Sequence, residues 1–195
     1  MDKDPVSPGT VPRRRVARTI LLVDGDRARR GDLAQRLGDH NYLVVLADNG
    51  TQALELATAR HFDLVLVDVQ VPGSPGLHVV QEIRGTRETA DLPVIVLAGG
   101  DIGAALAAFS AGADDHVTRP FDFDLLAARM ERILVRADRL AELKRSNLAL
   151  DARVADRAIE LGEARSDLAG GAADRARLAE TIRALEDALA RRPGA

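Results

Sequence analysis

Apolar residues are distributed along this chain in two different ways. Through the first two thirds they gather into short unbroken runs, and in the last third they recur at intervals of seven. The runs are Ile20-Leu21-Leu22-Val23, Tyr42-Leu43-Val44-Val45-Leu46-Ala47, Leu64-Val65-Leu66-Val67, Val94-Ile95-Val96-Leu97 and the shorter His116-Val117-Thr118. An aliphatic run without polar alternation suits a strand covered on both faces, as in a parallel sheet. Between the runs the spacing is helical. Leu33 and Leu37 share one face, opposite Arg27, Arg29, Arg30 and Arg36, and Gly38 and Asn41 end that helix. Thr51 is placed to cap a second helix that buries Ala53, Leu54, Leu56 and Ala57. Leu77, Val80, Gln81 and Ile83 mark a third, and Ala104, Ala105, Ala107, Ala108 and Phe109 a fourth. A fifth begins near Asp122 or Asp124. Five strands alternating with five helices predict an α/β fold. Its sheet is parallel and doubly wound, with right-handed crossovers and strand order 2-1-3-4-5.

The later pattern predicts a coiled coil. Ile133, Leu140, Asn147, Val154, Leu161 and Leu168 lie seven apart, with Leu143, Leu150 and Ala164 at the intervening positions and Arg136 and Arg157 as polar exceptions. An Asn at a core position favours two parallel strands in one register. Gly170-Gly171 is expected to interrupt this helix, and a shorter one resumes with Leu178, Ile182 and Leu185. The expected organisation is a basic N-terminal arm (1–18), an α/β domain (19–136), a coiled-coil helix (137–169) forming a parallel homodimer through 133–168, and a second helix with the tail (170–195).

Composition narrows the function. Aromatic residues are only 3% against 46% apolar, so the core is aliphatic. A net charge of −3 favours neither nucleic acid nor membrane as partner, although Arg13, Arg14, Arg15 and Arg18 cluster in the arm. There are no cysteines, which excludes disulfides and thiolate metal sites. No run reaches membrane-spanning length and no secretory signal is visible, so a cytoplasmic location is expected.

The chemistry-bearing residues sit where strands end. Asp68 closes the third run just before Val71-Pro72-Gly73-Ser74-Pro75-Gly76, which cannot continue a strand. Asp24-Gly25-Asp26 closes the first. The doubly wound order brings Asp24, Asp26 and Asp68 into one crevice, where carboxylates repel unless a cation is present. A hard divalent ion such as Mg²⁺ is the natural counter-charge. Arg119, at the end of strand five, approaches the same place.

Taken together, these motifs resemble the receiver domain of two-component response regulators. The resemblance covers residues 19 to about 136 and rests on Ile20 to Asp24, Asp63 to Asp68 with Pro72 and Gly76, Leu92 to Leu97, and Ala111 to Asp115 with Arg119-Pro120-Phe121. It implies a flavodoxin-like fold. It further implies Asp68 as acceptor of a phosphoryl group from a histidine kinase or phosphotransfer protein, and Mg²⁺ held by Asp24, Asp68 and the backbone carbonyl of Gln70. At most, such a domain catalyses its own Mg²⁺-dependent phosphorylation. Three positions depart from the family. The second acid of its metal-binding pair is Gly25, with Asp26 one residue later as a candidate substitute ligand. The switch Ser or Thr is Ala98, with His116 at the partner aromatic position. The phosphate-contacting Lys is Arg119, a planar fork in place of a point charge. The resemblance therefore implies a degenerate receiver whose Mg²⁺ binding is weak or lost. The segment Leu143 to Leu168 also resembles signalling helices, and no helix-turn-helix, cyclase or kinase signature follows it. Two functions compete: a response regulator without DNA-binding output that signals to a downstream protein through a dimeric coiled coil, and a phosphorylation-independent pseudo-receiver adaptor.

Overall fold

The computed structural model describes residues 17–100 and 102–190, with side chains through 187. The expected arm lies mostly outside these residues. Five strands alternate with five helices: β1 (Thr19–Val23), α1 (Arg27–Asp39), β2 (Leu43–Ala47), α2 (Gly50–Ala59), β3 (Leu64–Asp68), α3 (Gly76–Gly85), β4 (Val94–Ala98), α4 (Ile102–Ser110), β5 (Asp115–Thr118) and α5 (Phe123–Ala190). The strands form one parallel sheet in the order β2-β1-β3-β4-β5. This is the doubly wound, flavodoxin-like arrangement that the alternation predicts.

Burial follows position in the sheet. β3 and β4 are buried at every residue, as their unbroken aliphatic sequence requires. β2 lies at an edge and leaves Leu43 and Leu46 exposed. Alternate residues of each strand enter opposite layers. Leu21, Val23, Val65, Val67, Val94 and Val96 pack with Ala53 and Ala57 of α2, Val79, Val80 and Ile83 of α3, and Ala108 of α4. Ile20, Leu22, Leu64, Leu66, Ile95 and Leu97 pack with Leu33 and Leu37 of α1 and with Leu126, Met130, Ile133 and Leu134 of α5. Each valine, leucine, isoleucine or methionine among them contributes roughly 1.5–3 kcal/mol on full burial.

The Ala111-Gly112-Ala113-Asp114 motif has a structural cause. Gly112 adopts φ +99°, and the stem of Arg84 lies where a side chain would stand. Arg84 then donates to the Gly112 carbonyl at 2.7 Å, the Leu92 carbonyl at 2.7 Å and the Asp114 carboxylate at 2.7 Å. One guanidinium thus fixes the entries to β4 and β5.

Three details differ from the sequence reading. Asn49, not Thr51, caps α2 by accepting from the Gln52 N–H, because the helix starts at Gly50. Ile133 is 7% exposed inside the α/β core, so it is not available to a coiled-coil seam. The glycine pair does not interrupt the helix: α5 is continuous for 68 residues through Gly170 and Gly171. Two glycines cost about 1 kcal/mol each relative to alanine, and the helix continues on both sides of them.

The chain divides into two compact units at Arg139/Leu140. Among the described residues the second unit is helix alone. Its large apolar side chains are exposed, including Leu140, Leu143, Leu150, Val154, Leu161, Leu168, Leu178, Ile182 and Leu185. Leu168 and Ile182 are two heptads apart, so the seven-residue phase is kept across the glycines, with Gly171 and Arg175 at the intervening core positions. Replacing both glycines (Gly170→Ala with Gly171→Ala) is expected to stabilise this helix by about 2 kcal/mol in total. Thermal melting followed by circular dichroism at 222 nm checks this, and an unchanged melting curve would show that the glycines lie in an already frayed segment.

Candidate functional site

The parallel register pairs Val23 with Val67, which sets the next residue of each strand side by side. These are Asp24, 1% exposed, and Asp68, 4% exposed. Each folds back on its own loop in the same way. Asp24 Oδ1 accepts the N–H of Asp26 at 2.8 Å, and Asp68 Oδ1 accepts the N–H of Gln70 at 2.8 Å. Two buried carboxylates so close require positive charge.

Two arginines supply it. Arg119 follows β5 and is anchored by its backbone N–H to the Ala98 carbonyl at 2.8 Å. Its Nε donates to Asp68 Oδ2 at 3.0 Å and its Nη2 to Asp24 Oδ2 at 2.9 Å. The planar fork, edge-on to both acids, also lies 5.4 Å from the Phe121 ring. Arg29, from the first turn of α1, places Nη2 3.0 Å from Asp24 Oδ1 and 3.9 Å from Asp68 Oδ2. Its hydrogen bond to Asp24 holds the guanidinium more firmly protonated than usual. Arg30 donates to the Asp24 backbone carbonyl.

The remaining sequence candidates fall as follows. Asp26 is the N-cap of α1: its Oδ1 accepts from the N–H groups of Ala28 at 2.9 Å and Arg29 at 3.0 Å. These bonds, the Arg29 N–H first, hold its carboxyl below the usual range. It does not lean into the crevice. Gln70 is exposed and meets Asp68 through its N–H. Ala98 ends β4, 3% exposed, and brings no hydroxyl to the site. His116 is a half-buried residue of β5 whose Nε2 is buried without a hydrogen bond. The loop behind Asp68 is held by close approaches. A Cβ on Gly76 would lie 2.2 Å from the Asp68 carbonyl, and one on Gly50 2.1 Å from the Ser74 carbonyl.

Residues 20–131 match the response regulator receiver domain family. The chain belongs to that family. Relatives include response regulator MprA of Mycolicibacterium vanbaalenii, 39% identical over 139 residues, covering 68% of this chain and 59% of that protein. The protein of the same name from Mycobacterium tuberculosis is 40% identical over 118 residues, covering 60% and 50%. The chain thus spans between half and three fifths of these curated relatives. A solved response regulator of Chloroflexus aurantiacus superimposes with a TM-score of 0.60 at 33% identity, covering 62% of this chain and 99% of that one. The receiver domain of a sensor histidine kinase from Pseudomonas aeruginosa, solved with magnesium coordinated in its active-site cleft, superimposes with a TM-score of 0.58. It is 26% identical and covers 61% and 98%.

Receiver domains bind Mg²⁺, yet the donors of this receiver do not fit the ion. All four carboxylate oxygens of Asp24 and Asp68 already accept hydrogen bonds, two from backbone N–H groups and two from Arg119, with Arg29 added. The third acid is absent: position 25 is glycine, and a Cβ there would meet the Pro72 ring at 2.5 Å. No group of three or more acidic or histidine side chains suited to a metal occurs among the described residues.

Arg29 and Arg30 were not singled out as site residues by the sequence. The available signal was their position. The first turn of α1 carries Arg27, Arg29 and Arg30 and no acid, against the helix dipole, which implies an acidic partner in front of the helix.

Asp26 offers a test of the loop geometry. Its lowered pKa means that the cap contributes stability above the unfolded value of about 3.9, and loses it as pH falls through the folded value. Asp26→Ala is expected to be less stable than the parent at pH 7, with the gap narrowing towards pH 3. Asp26→Asn should keep most of the cap without that narrowing. Urea unfolding across the pH series measures both.

Proposed function

We propose that this chain is a receiver-type adaptor in two-component signalling. It dimerises through its helix, presents the receiver to a protein partner, and works without phosphoryl transfer at Asp68. The observation that carries the reading is the stripe of exposed leucine, isoleucine and valine on α5 from Leu140 to Leu185. A lone helix with such a stripe gains most of its stability only when the stripe is covered. A second copy in parallel is the natural cover, because Asn147 lies at a core position of the repeat and pairs best with itself. The receiver supports the second half of the reading. Ala98 has no hydroxyl to contact a phosphoryl oxygen, and Asp68 is bound to Arg119.

The reading needs no catalysis by this chain. Its net charge of −3 gives no general attraction to nucleic acid. No helix among the described residues is long and apolar enough to cross a membrane, and a cytoplasmic site of action is part of the proposal. The competing reading makes Asp68 the acceptor of a phosphoryl group from a histidine kinase or phosphotransfer protein, with output through the same helix. Its support is the placement of Asp68 beside Asp24 at the carboxyl ends of adjacent strands.

Two measurements decide. Incubation with acetyl phosphate and Mg²⁺, followed by intact mass, is expected to show no phosphorylated species. A modification that disappears in Asp68→Ala would establish the competing reading. Light scattering is expected to show a dimer whose mass does not change with beryllofluoride. Leu143→Asp combined with Leu150→Asp should weaken self-association by at least about a hundredfold, or 2.7 kcal/mol. A dimer indifferent to those substitutions would place the pairing elsewhere.

A further inference from the structure

We propose that Arg29 and Arg119 are the resident cations of this receiver, and that they exclude divalent metal from its acidic site. The inference goes beyond the adaptor reading and stands whether or not Asp68 is ever modified.

The charges balance within the crevice. Two carboxylates, Asp24 and Asp68, face two guanidinium groups delivered by different elements, one from the first turn of α1 and one from the loop after β5. Arg119 bridges the acids, one nitrogen to each. Arg29 reaches the same pair, 3.0 Å from Asp24 Oδ1 and 3.9 Å from Asp68 Oδ2. The cluster is neutral as it stands. A divalent ion would bring two further positive charges between two arginines, and would need ligand distances of about 2.0–2.1 Å in near-octahedral order. Every carboxylate oxygen it could use already has a donor at 2.8–3.0 Å.

Among the described residues, no neighbouring side chain offers the oxygens that the arginines occupy. Asp26, two residues beyond Asp24, gives one oxygen to two backbone N–H groups at the start of α1, and its other oxygen lies 3.9 Å from Arg29 Nε. A side chain at position 25 would meet the Pro72 ring before it could reach a metal. The arginines are also held from behind. Arg119 is tied through its backbone to Ala98 and lies against Phe121. Arg29 is fixed at the start of its helix by the same cap that holds Asp26 away from the crevice. A metal would therefore have to expel guanidinium groups that already bond both acids.

The arrangement makes the arginines the obstacle, and removing them should open the site. The experiment uses the full chain, parent and Arg29→Gln with Arg119→Gln, and reads bound Mn²⁺ by electron paramagnetic resonance and melting temperature with and without Mg²⁺ at matched ionic strength. The parent should bind no Mn²⁺ up to about 10 mM and melt at the same temperature in Mg²⁺ and in EDTA. The double variant should melt lower than the parent in EDTA, recover part of the difference with Mg²⁺, and bind Mn²⁺ at least about tenfold more tightly than the parent. If the double variant does not fold, Arg29→Gln and Arg119→Gln singly should each show the same changes in smaller degree. Saturable binding of Mn²⁺ by the parent below about 1 mM, displaced by Mg²⁺, would overturn the inference. So would folded variants that bind Mn²⁺ no better than the parent. Phosphorylation of the parent at Asp68 by acetyl phosphate in EDTA would remove the adaptor reading and support this inference.

Discussion

Two acids at the ends of neighbouring parallel strands impose a demand that the surrounding residues must meet. At about 4 Å, like charges at a partly buried site repel by roughly 4 kcal/mol. Asp24 and Asp68 are placed this way by the β1–β3 register, not by any choice of rotamer. Arg119 answers the demand with a planar fork that reaches both acids at once. The consequence extends beyond charge. That one side chain joins the ends of β1, β3 and β5, while Arg29 joins them to α1. A buried ionic cluster of this kind adds little net stability over an apolar one, but losing one partner is costly, so it fixes geometry more than it adds free energy.

The fold was legible because its strands are simple. Central β3 and β4 are buried on both faces, and their sequences contain nothing but aliphatic residues before Asp68 and Ala98. The meeting of Asp24 with Asp68 followed from strand order alone. What could not be read was which polar group each side chain selects. Asp26 stands next to the acidic loop in sequence but caps the helix N-terminus, where its Oδ1 accepts from the N–H groups of Ala28 and Arg29. Arg29 lies on the solvent-facing side of the helical pattern, yet its long stem carries the guanidinium back over the loop. Periodicity assigns a face to the Cβ, not to the end of a seven-atom side chain.

The long helix shows the same limit at a different scale. Gly170 and Gly171 have the highest propensity to break a helix in that region, and propensity alone predicts an interruption. The structure keeps the helix whole. Propensity is a local quantity of about 1 kcal/mol per glycine, whereas the heptad pattern is continuous on both sides, with Leu161 and Leu168 before the pair and Leu178, Ile182 and Leu185 after it. Continuity of register is the stronger signal, because a true break would free the following helix from any need to keep the same phase. Ile133 illustrates the opposite error. It fits the repeat by spacing, but the α/β core claims it first.

The glycine at position 25 is more than a missing acid. A Cβ at this position would stand 2.5 Å from the Pro72 ring, so even a methyl group would force the ring to move. Pro72 in turn belongs to a loop that cannot shift freely. Its carbonyl accepts the Gly50 N–H at 3.0 Å, Gly50 has no room for a side chain against Ser74, and Gly76 has none against the Asp68 carbonyl. The loop after β3 is therefore packed against the loop after β1 at Gly25 and against the start of α2 at Gly50, while Gly76 closes it onto the end of β3. Restoring a carboxylate at position 25 would require that loop to rise, and would add a third negative charge to a cluster that two arginines already balance. Glycine at position 25, the close Pro72 ring and the two arginines are thus mutually consistent features of one packed arrangement.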